Sequence, residues 1–482
     1  MNMKSVKFLC LFIMASVVSF NIAAQDTAAI NGTVSLKQCV DIAIKNNLDV
    51  NNAEFLMEVD KVNWQLAKGN MLPFLSANID HGLSQGRGID PFTNVYVNQN
   101  ITYANYGVNG SIYLWNGSSI QNNIRANRFG YEASKMDWQQ AKDNITISVL
   151  LAYLQVLNNE EQLNAAEQQA EVTRKQAERL QILNNDGAIA PSDYYNMKGQ
   201  LAGDELSVVN ANNALETSRL ELCRLMNIPY TANMQLEKTE GPLTPVYYDG
   251  TTDVIYAQAL QQLAFVRAAE LRKQSATFAV KSAKGQMLPS LLLNGSLGTN
   301  YSSAAATSAF TGSTDVITDN YVLLNSEKLR VYAPQNNYIS QKITYGNQWK
   351  NNFNSSVSIG LRIPILNGLQ ARSRVSQAKI TEKRAYFNEK TTRIQLRQNI
   401  DQAYLNMTAA FDRYQKLQLQ SQAYVESFHA AEVKFNAGAL TSVDYLIVKG
   451  NLDRANTNLI AAKYDYILRT KVLDFYRGQL SF

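Results

Sequence analysis

The chain is poor in the residues on which enzymes and disulfide scaffolds depend. Of 482 residues, only 3 are cysteine, 2 histidine and 9 proline. The histidines, His81 and His429, stand far apart, and neither has a second ligand at zinc-site spacing. There is no Gly-x-Ser-x-Gly elbow, no phosphate loop with Lys-Ser, and no carboxylate pair in a pocket-like pattern. No catalytic residue, metal or cofactor is therefore expected. Long hydrophobic runs are also missing. After the first 24 residues nothing approaches the ~18 consecutive apolar residues of a membrane-spanning helix. Charge of one sign is missing too: 45 Lys and Arg against 40 Asp and Glu give +5, too balanced to point to nucleic acid or an acidic substrate.

What is present begins with a leader. Lys4 and Lys7 precede the apolar run Phe8 to Phe20, and Ala23-Ala24 follow, the pattern of a secretory signal peptide cleaved after Ala24. The run is short for a membrane anchor of ~20 residues. Cys10 lies inside it behind Leu9, which argues against a lipoprotein signal. Cys39 and Cys223 remain; they could pair in an oxidising compartment, but their helical surroundings favour two buried thiols.

The chain is an internal duplication. Ala67-Lys68-Gly69-Asn70-Met71-Leu72-Pro73 recurs as Ala283-Lys284-Gly285-Gln286-Met287-Leu288-Pro289, offset by 216. Leu114-Trp115-Asn116-Gly117 matches Ile365-Leu366-Asn367-Gly368 at an offset of 251, which persists through Gly187/Gly438 and Lys198-Gly199/Lys449-Gly450. The second copy thus carries 35 extra residues (251 − 216), all between the Pro and the Asn-Gly. Insertions concentrate in exposed loops, so each repeat has one variable loop and one length-constrained body.

That body is helical. From about Ser119 to Asn184 there is no Pro, and Ile145, Val149, Ala152, Val156 and Leu163 recur at three- and four-residue steps. A helix of this length spans roughly 100 Å and suits a coiled-coil-like assembly. The expected order is a signal peptide over 1–24, a first repeat over 25–227, a connector over 228–252 and a second repeat over 253–482. Each repeat holds a short helix, two strands and a long helical hairpin. The hairpin tips fall near 187 and 438.

The strands are expected at about 73–82, 106–115, 289–298 and 353–363. In the fourth, Val357, Ile359 and Leu361 alternate with Ser356, Ser358 and Arg362. One apolar and one polar face fit a soluble sandwich, or a transmembrane barrel strand with lipid outside and a wet lumen inside. The barrel reading puts Ser356, Ser358 and Arg362 on the lumen side. Asp80, His81 and Arg362 read as lumen- or loop-facing, and Lys198 and Lys449 as solvated helix positions. The segments 82–105 and 299–352 read as exposed loops. Asn116-Gly117 and Pro364 to Asn367-Gly368 end the strands and turn the chain into helix. Four strands cannot close a barrel in lipid, where every backbone group needs a partner. Three copies would give twelve strands and a wide lumen.

In this plan, repeated twice with its Leu-Pro, Pro-Ile-Leu-Asn-Gly and Gly-then-Asp motifs, the chain resembles the TolC-like outer-membrane efflux protein family over nearly all its mature length. The resemblance implies a mixed α and β membrane protein. It would be a homotrimer with a twelve-strand transmembrane barrel in the outer membrane of a Gram-negative bacterium, continued by a periplasmic helical tunnel. The implied partners are outer-membrane lipid, a periplasmic adaptor and an inner-membrane pump. The cargo would be drugs or other small toxic compounds, or secreted polypeptides in a type I system. A soluble periplasmic helical adaptor is the alternative of another class, but adaptors lack duplicated strand pairs.

The resemblance also places an acid six residues after the second-repeat Gly at the periplasmic aperture. That acid is Asp444 here, with Asp193 as its first-repeat counterpart. An Asp in a first helical turn also caps free N–H groups, so this position has a structural reading as well. The family's second aperture acid is Ile447 here, its Tyr is Phe435 and its Arg is Leu440. A closed state would then rest on packing of Phe435, Leu440 and Ile447. Gly187, Ala188 and Ile189, with Gly438, Ala439 and Leu440, form an apolar tip surface suited to an adaptor's helical hairpin or to neighbouring tips.

Overall fold

The computed structural model describes residues 33–89, 94–98, 100–230, 234–237 and 246–479. The leader expected over 1–24 and much of the connector lie outside the described residues. The chain divides into two compact units, Met1–Glu54, Asp137–Phe265 and Arg393–Phe482 forming one, and Phe55–Met136 and Val266–Thr392 the other.

The duplication reappears element by element. Helices α1 (Leu36–Asn46) and α2 (Leu48–Gly69) correspond to α5 (Thr252–Gln262) and α6 (Ala264–Gly285), each bound displaced by 216. Helices α3 (Ser119–Asn185) and α8 (Gln370–Asn436) are both 67 residues long, displaced by 251 at both ends. Their return helices are α4 (Pro191–Met226) and α9 (Ser442–Tyr476). Helix starts follow local chemistry. Ser35 and Gln38 form a reciprocal capping box at α1, and Pro191 opens α4, where its missing N–H costs nothing.

In the unit containing Phe55–Met136, four strands form one sheet. They are β2 (Phe74–Ser84), β5 (Ile101–Trp115), β7 (Ser290–Ser302) and β10 (Asn354–Arg362), in the order β10-β7-β5-β2 with every neighbour antiparallel. The second and third strands are longer than 106–115 and 289–298 because the apolar/polar alternation continues through Tyr103 and Asn300. Leu75 faces Gly110 in the first repeat and Leu291 faces Leu361 in the second, so the two hairpins share one register. That register gathers Leu75, Ile79, Val108, Leu293, Ile359 and Leu361 on one face, and Ser76, Asn109, Ser111, Asn294, Ser296 and Ser356 on the other. The apolar face is bare: Leu75, Ile79, Val357 and Leu361 are 62–79% exposed. A bare apolar sheet face of this extent calls for a partner or lipid.

Two segments expected as loops are structured. Residues 82–105 carry the small ribbon of β3 (Arg87–Ile89) and β4 (Tyr96–Asn98). Residues 299–352 fold into a hairpin of β8 (Ala306–Leu324) and β9 (Glu327–Lys342), followed by α7 (Tyr345–Asn351). Asn325 and Ser326, with φ of 50° and 71°, form the two-residue turn whose twist matches antiparallel strands. The abundance of Asn, Ser and Thr masked the β-formers Val316, Ile317, Val322 and Tyr332.

The core of the other unit centres on Val149, Leu150 and Tyr153 of α3, packed with Cys39, Leu222 and Met226. The Tyr153 hydroxyl donates to Glu237 O at 2.5 Å and Val34 O at 3.3 Å, pinning the short parallel bridge of β1 (Thr33–Val34) and β6 (Gln235–Leu236). Cys39 and Cys223 are both buried thiols, as the helical pattern suggested, and burial pushes Cys39 up to about 12, with Cys223 adding to the shift.

Candidate functional site

Three clusters stand out: the strand-to-helix turns, the helical tips and a buried charge cluster. The turns are built twice. Gly117 and Ser118 have φ of 64° and 61°, and their counterparts Gly368 and Leu369 have 61° and 64°. Asn116 and Asn367 each accept from the amide four residues on, Ile120 at 3.4 Å and Ala371 at 3.5 Å. The Asn-Gly pair thus reverses the chain and caps the helix it starts. Asn116, Arg362, Pro364 and Asn367 share the lining of a cavity of about 1090 Å³ at this end of the sheet.

Asp80 and Arg362 lie on the sheet's polar face with Ser356 and Ser358, and Ser356 and Ser296 share a hydrogen bond at 2.8 Å. His81 does not join Asp80 there. Pleating sends successive side chains to opposite faces, so the register puts His81 with Ile79 and Leu83.

The tips are also built twice. Gly187 and Gly438 sit at φ of 71° and 74°. The amide of Ala188 donates to Leu183 O and that of Ala439 to Lys434 O, both at 2.8 Å, while each Gly amide reaches the carbonyl three residues back at 3.1 Å. This double bond is the Schellman stop, which needs a left-handed residue that Gly supplies without strain. Gly187, Ala188, Gly438 and Ala439 are exposed. Ile189 and Leu440, expected on the same surface, are half-buried. They turn inward on a tip core of Ala177, Leu180, Met197 and Tyr445.

Of the three residues expected to pack the closed tip, Phe435 and Leu440 join this core, and the Phe435 ring stacks on Tyr445 with centroids 4.4 Å apart. Ile447 does not: it is 56% exposed, because its position on α9 faces away from Tyr445. Asp444 is exposed and shares a capping pair with Thr441, whose hydroxyl accepts from the Asp444 amide at 3.1 Å and donates to its carboxylate at 2.7 Å. Asp193 accepts from Ser442 at 2.5 Å, tying the first turn of α4 to that of α9. Tyr445 is fully buried and its hydroxyl finds no partner among the described residues; burial pushes it up to about 12.

Lys449 corrects another expectation. Its counterpart Lys198 is exposed, but Lys449 is 2% exposed. Its ammonium donates to Asp204 at 3.0 Å and Asp453 at 2.5 Å, while Thr173 and Gln200 donate to Asp204 at 2.5 and 2.7 Å. Three helices, α3, α4 and α9, thus meet at one buried cation with two carboxylates. Burial raises Asp453 above the usual carboxylate range, against the pull of Lys449. Asp204 and Asp453 align with Ala455 and Ala202 in the opposite repeat, but the exposed Asp186 likewise aligns with Ala437, so packing and not sequence singles out the buried pair.

Among the described residues no group of acids, histidines or cysteines could hold a metal, and no helix is long and apolar enough to cross a membrane. The chain is 23% identical over 386 residues to the outer membrane protein TolC of Vibrio cholerae, covering 78% of this chain and 76% of that one. It is 22% identical over 412 residues to the TolC of Escherichia coli, covering 83% and 73%. The fold matches that of the Campylobacter jejuni CmeC outer membrane channel with a TM-score of 0.68 at 18% identity, over 93% of this chain and 87% of that one. The model of the outer membrane efflux protein family matches residues 39–227 and 255–478. Those two spans begin 216 and end 251 residues apart, the offsets of the duplication. The chain belongs to the outer membrane efflux protein family, a family of outer-membrane channels and not of enzymes.

Proposed function

We propose that this protein is the exit duct of a tripartite efflux pump, a homotrimer that passively conducts drugs or other small toxic compounds out of the cell. The observation that carries this reading is the four-stranded sheet with a bare apolar face, a polar face and two open edges. In lipid such a sheet must close on copies of itself, and three copies give a twelve-strand barrel with Ser356, Ser358 and Arg362 lining the lumen. The paired long helices would extend the wall as a periplasmic tunnel. Its exposed tips at Gly187-Ala188 and Gly438-Ala439 would meet the adaptor, and three copies of Asp444 would ring the aperture.

Affinity capture of the tagged protein from native membranes tests the assignment. It is expected to retain a periplasmic adaptor and an inner-membrane drug transporter. Retention of a peptide-exporting transporter ATPase instead would assign the duct to type I secretion. Retention of neither would overturn the pump reading. A deletion strain is expected to accumulate a fluorescent efflux dye, and unchanged dye levels would count against small-molecule cargo.

The tip core makes a separate prediction. Phe435→Ala removes the ring stacked on Tyr445 and leaves a cavity, so the closed tip should loosen and resting conductance should rise in both Phe435→Ala and Leu440→Ala. Ile447→Ala, an exposed site, should leave it unchanged. Equal conductance in all three variants and the parent would sink the idea that this core holds the tip shut.

A further inference from the structure

The two repeats make equivalent contacts where both partners lie in one chain, and the contacts that are missing identify what covers the rest. Strand β5 of the first repeat pairs with β7 of the second. The equivalent of that joint would pair β10 with β2, yet these strands lie at opposite edges of the same sheet. The helices repeat the pattern. A Cβ on Gly117 would lie 2.4 Å from Gly285 O, and Phe129 stacks on Phe278 with centroids 5.4 Å apart. The counterparts Gly368 and Gly69 have nothing within 4 Å. The counterparts of the ring pair, Ile380 and Val62, are 65% and 59% exposed. Val59, Val62 and Leu66 form a bare stripe on α2, where the equivalent face of α6 is covered: Ser275 donates to Ala126 O and Ser282 to Ser119 O.

We propose that a second copy of this chain fills these places in one fixed register, with Leu361 opposite Ile79 of the partner subunit. This rests on the trimeric duct reading and adds the seam to it. The register follows from Gly110 facing Gly295: adding 251 to the first (110 + 251 = 361) and subtracting 216 from the second (295 − 216 = 79) gives the pair. The side-chain faces check it independently. Val357 then meets Leu83 of the partner subunit on the apolar face, and Ser358 meets Gly82 of the partner subunit on the polar face. A slip of one residue would set Leu361 against Asp80 of the partner subunit and mix the faces along the whole seam. The same register puts Arg362 opposite Asn78 of the partner subunit and diagonal to Asp80 of the partner subunit, within reach of a long side chain. Each seam thus carries a guanidinium–carboxylate pair on the polar face, which no single subunit contains. On the helices, Ile380 covers Val62 of the partner subunit, and Gly368 lies against Gly69 of the partner subunit.

The test uses the full chain in outer membranes. The double variant Ile79→Cys/Leu361→Cys, oxidised and then boiled in detergent, is expected to run as covalent dimers and trimers. Cys39 and Cys223 are buried and should not compete. Ile79→Cys/Ile359→Cys and Ile79→Cys/Ile363→Cys keep the face but shift the pairing by two residues, and should cross-link far less. Cross-linking of a shifted pair in place of the first would overturn the register. Trimers on unheated gels with no cross-link in any variant would overturn the seam while leaving the duct reading intact; absence of trimers in the parent would remove both. The charge pair has its own readout. Asp80→Arg and Arg362→Asp should each lower the temperature at which trimers fall apart, and the double exchange should restore it. Additive losses in the double variant would overturn the pairing.

Discussion

Lys449→Met is expected to lower the unfolding temperature of the helical hairpins by on the order of 10 °C. The substitution keeps the length of the side chain but strands Asp204 and Asp453, which share the one ammonium in a site with little water. Removing one partner of a buried ion pair costs ~3–5 kcal/mol, because the remaining charge is left uncompensated. In a unit of this size each kcal/mol moves the transition by ~2–4 °C. The charge-free variant Lys449→Met/Asp204→Asn/Asp453→Asn should recover most of the loss, since the cost lies in the orphaned carboxylates more than in the missing pair. Circular dichroism at the helical minimum during heating measures both. A Lys449→Met protein as stable as the parent would show that water reaches the cluster.

The same site gives stability a pH dependence whose sign is fixed. Burial raises the Asp453 carboxyl, so the native state holds that proton more tightly than the unfolded chain does. Its contribution is therefore complete below the ordinary carboxylate range and is lost as pH rises through the raised value. Mild acidification should stabilise the parent relative to Asp453→Asn, and a difference that stays constant with pH would contradict the raised carboxyl.

Gly117→Ala is expected to sharply reduce the folded protein recovered from outer membranes, where Gly187→Ala has a modest effect. Both glycines have positive φ, and an alanine there costs ~1–2 kcal/mol. They differ in surroundings. Nothing lies within 4 Å of a Cβ on Gly187, whereas one on Gly117 would meet the Gly285 carbonyl oxygen at 2.4 Å and Leu288 Cβ at 2.8 Å. Backbone cannot rotate out of the way as a side chain can, so the strand-to-helix turn must move off α6. Equal yields of the two variants would mean that this turn is not the fixed joint the packing describes.

Much of this architecture is legible in the sequence because duplication prints it twice. A single Asn-Gly is a weak turn signal, but Asn116-Gly117 and Asn367-Gly368 at a constant offset name a joint, and both glycines have φ within 3° of each other, 64° and 61°. Period-two alternation likewise exposes the sheet's two faces. What escapes the sequence is contact between elements distant along the chain. Lys449 looks like any surface lysine until α3, α4 and α9 are packed together. His81 sits beside Asp80 in sequence but on the opposite face in the pleat. Leu440 and Ile189 look like tip surface until Tyr445 is placed beneath them. The β8–β9 hairpin hid for a compositional reason, since its Asn, Ser and Thr residues suit an exposed ribbon as well as a loop.

Closure of a sheet into an outer-membrane duct by copies of this chain is tested most directly by electrical recording from purified trimers in a planar bilayer. Discrete single-channel steps that favour cations at low salt are expected, with Asp444→Asn shifting the reversal potential toward zero. A bilayer that stays silent with folded trimers of the parent and of the Phe435→Ala and Leu440→Ala variants alike would contradict it.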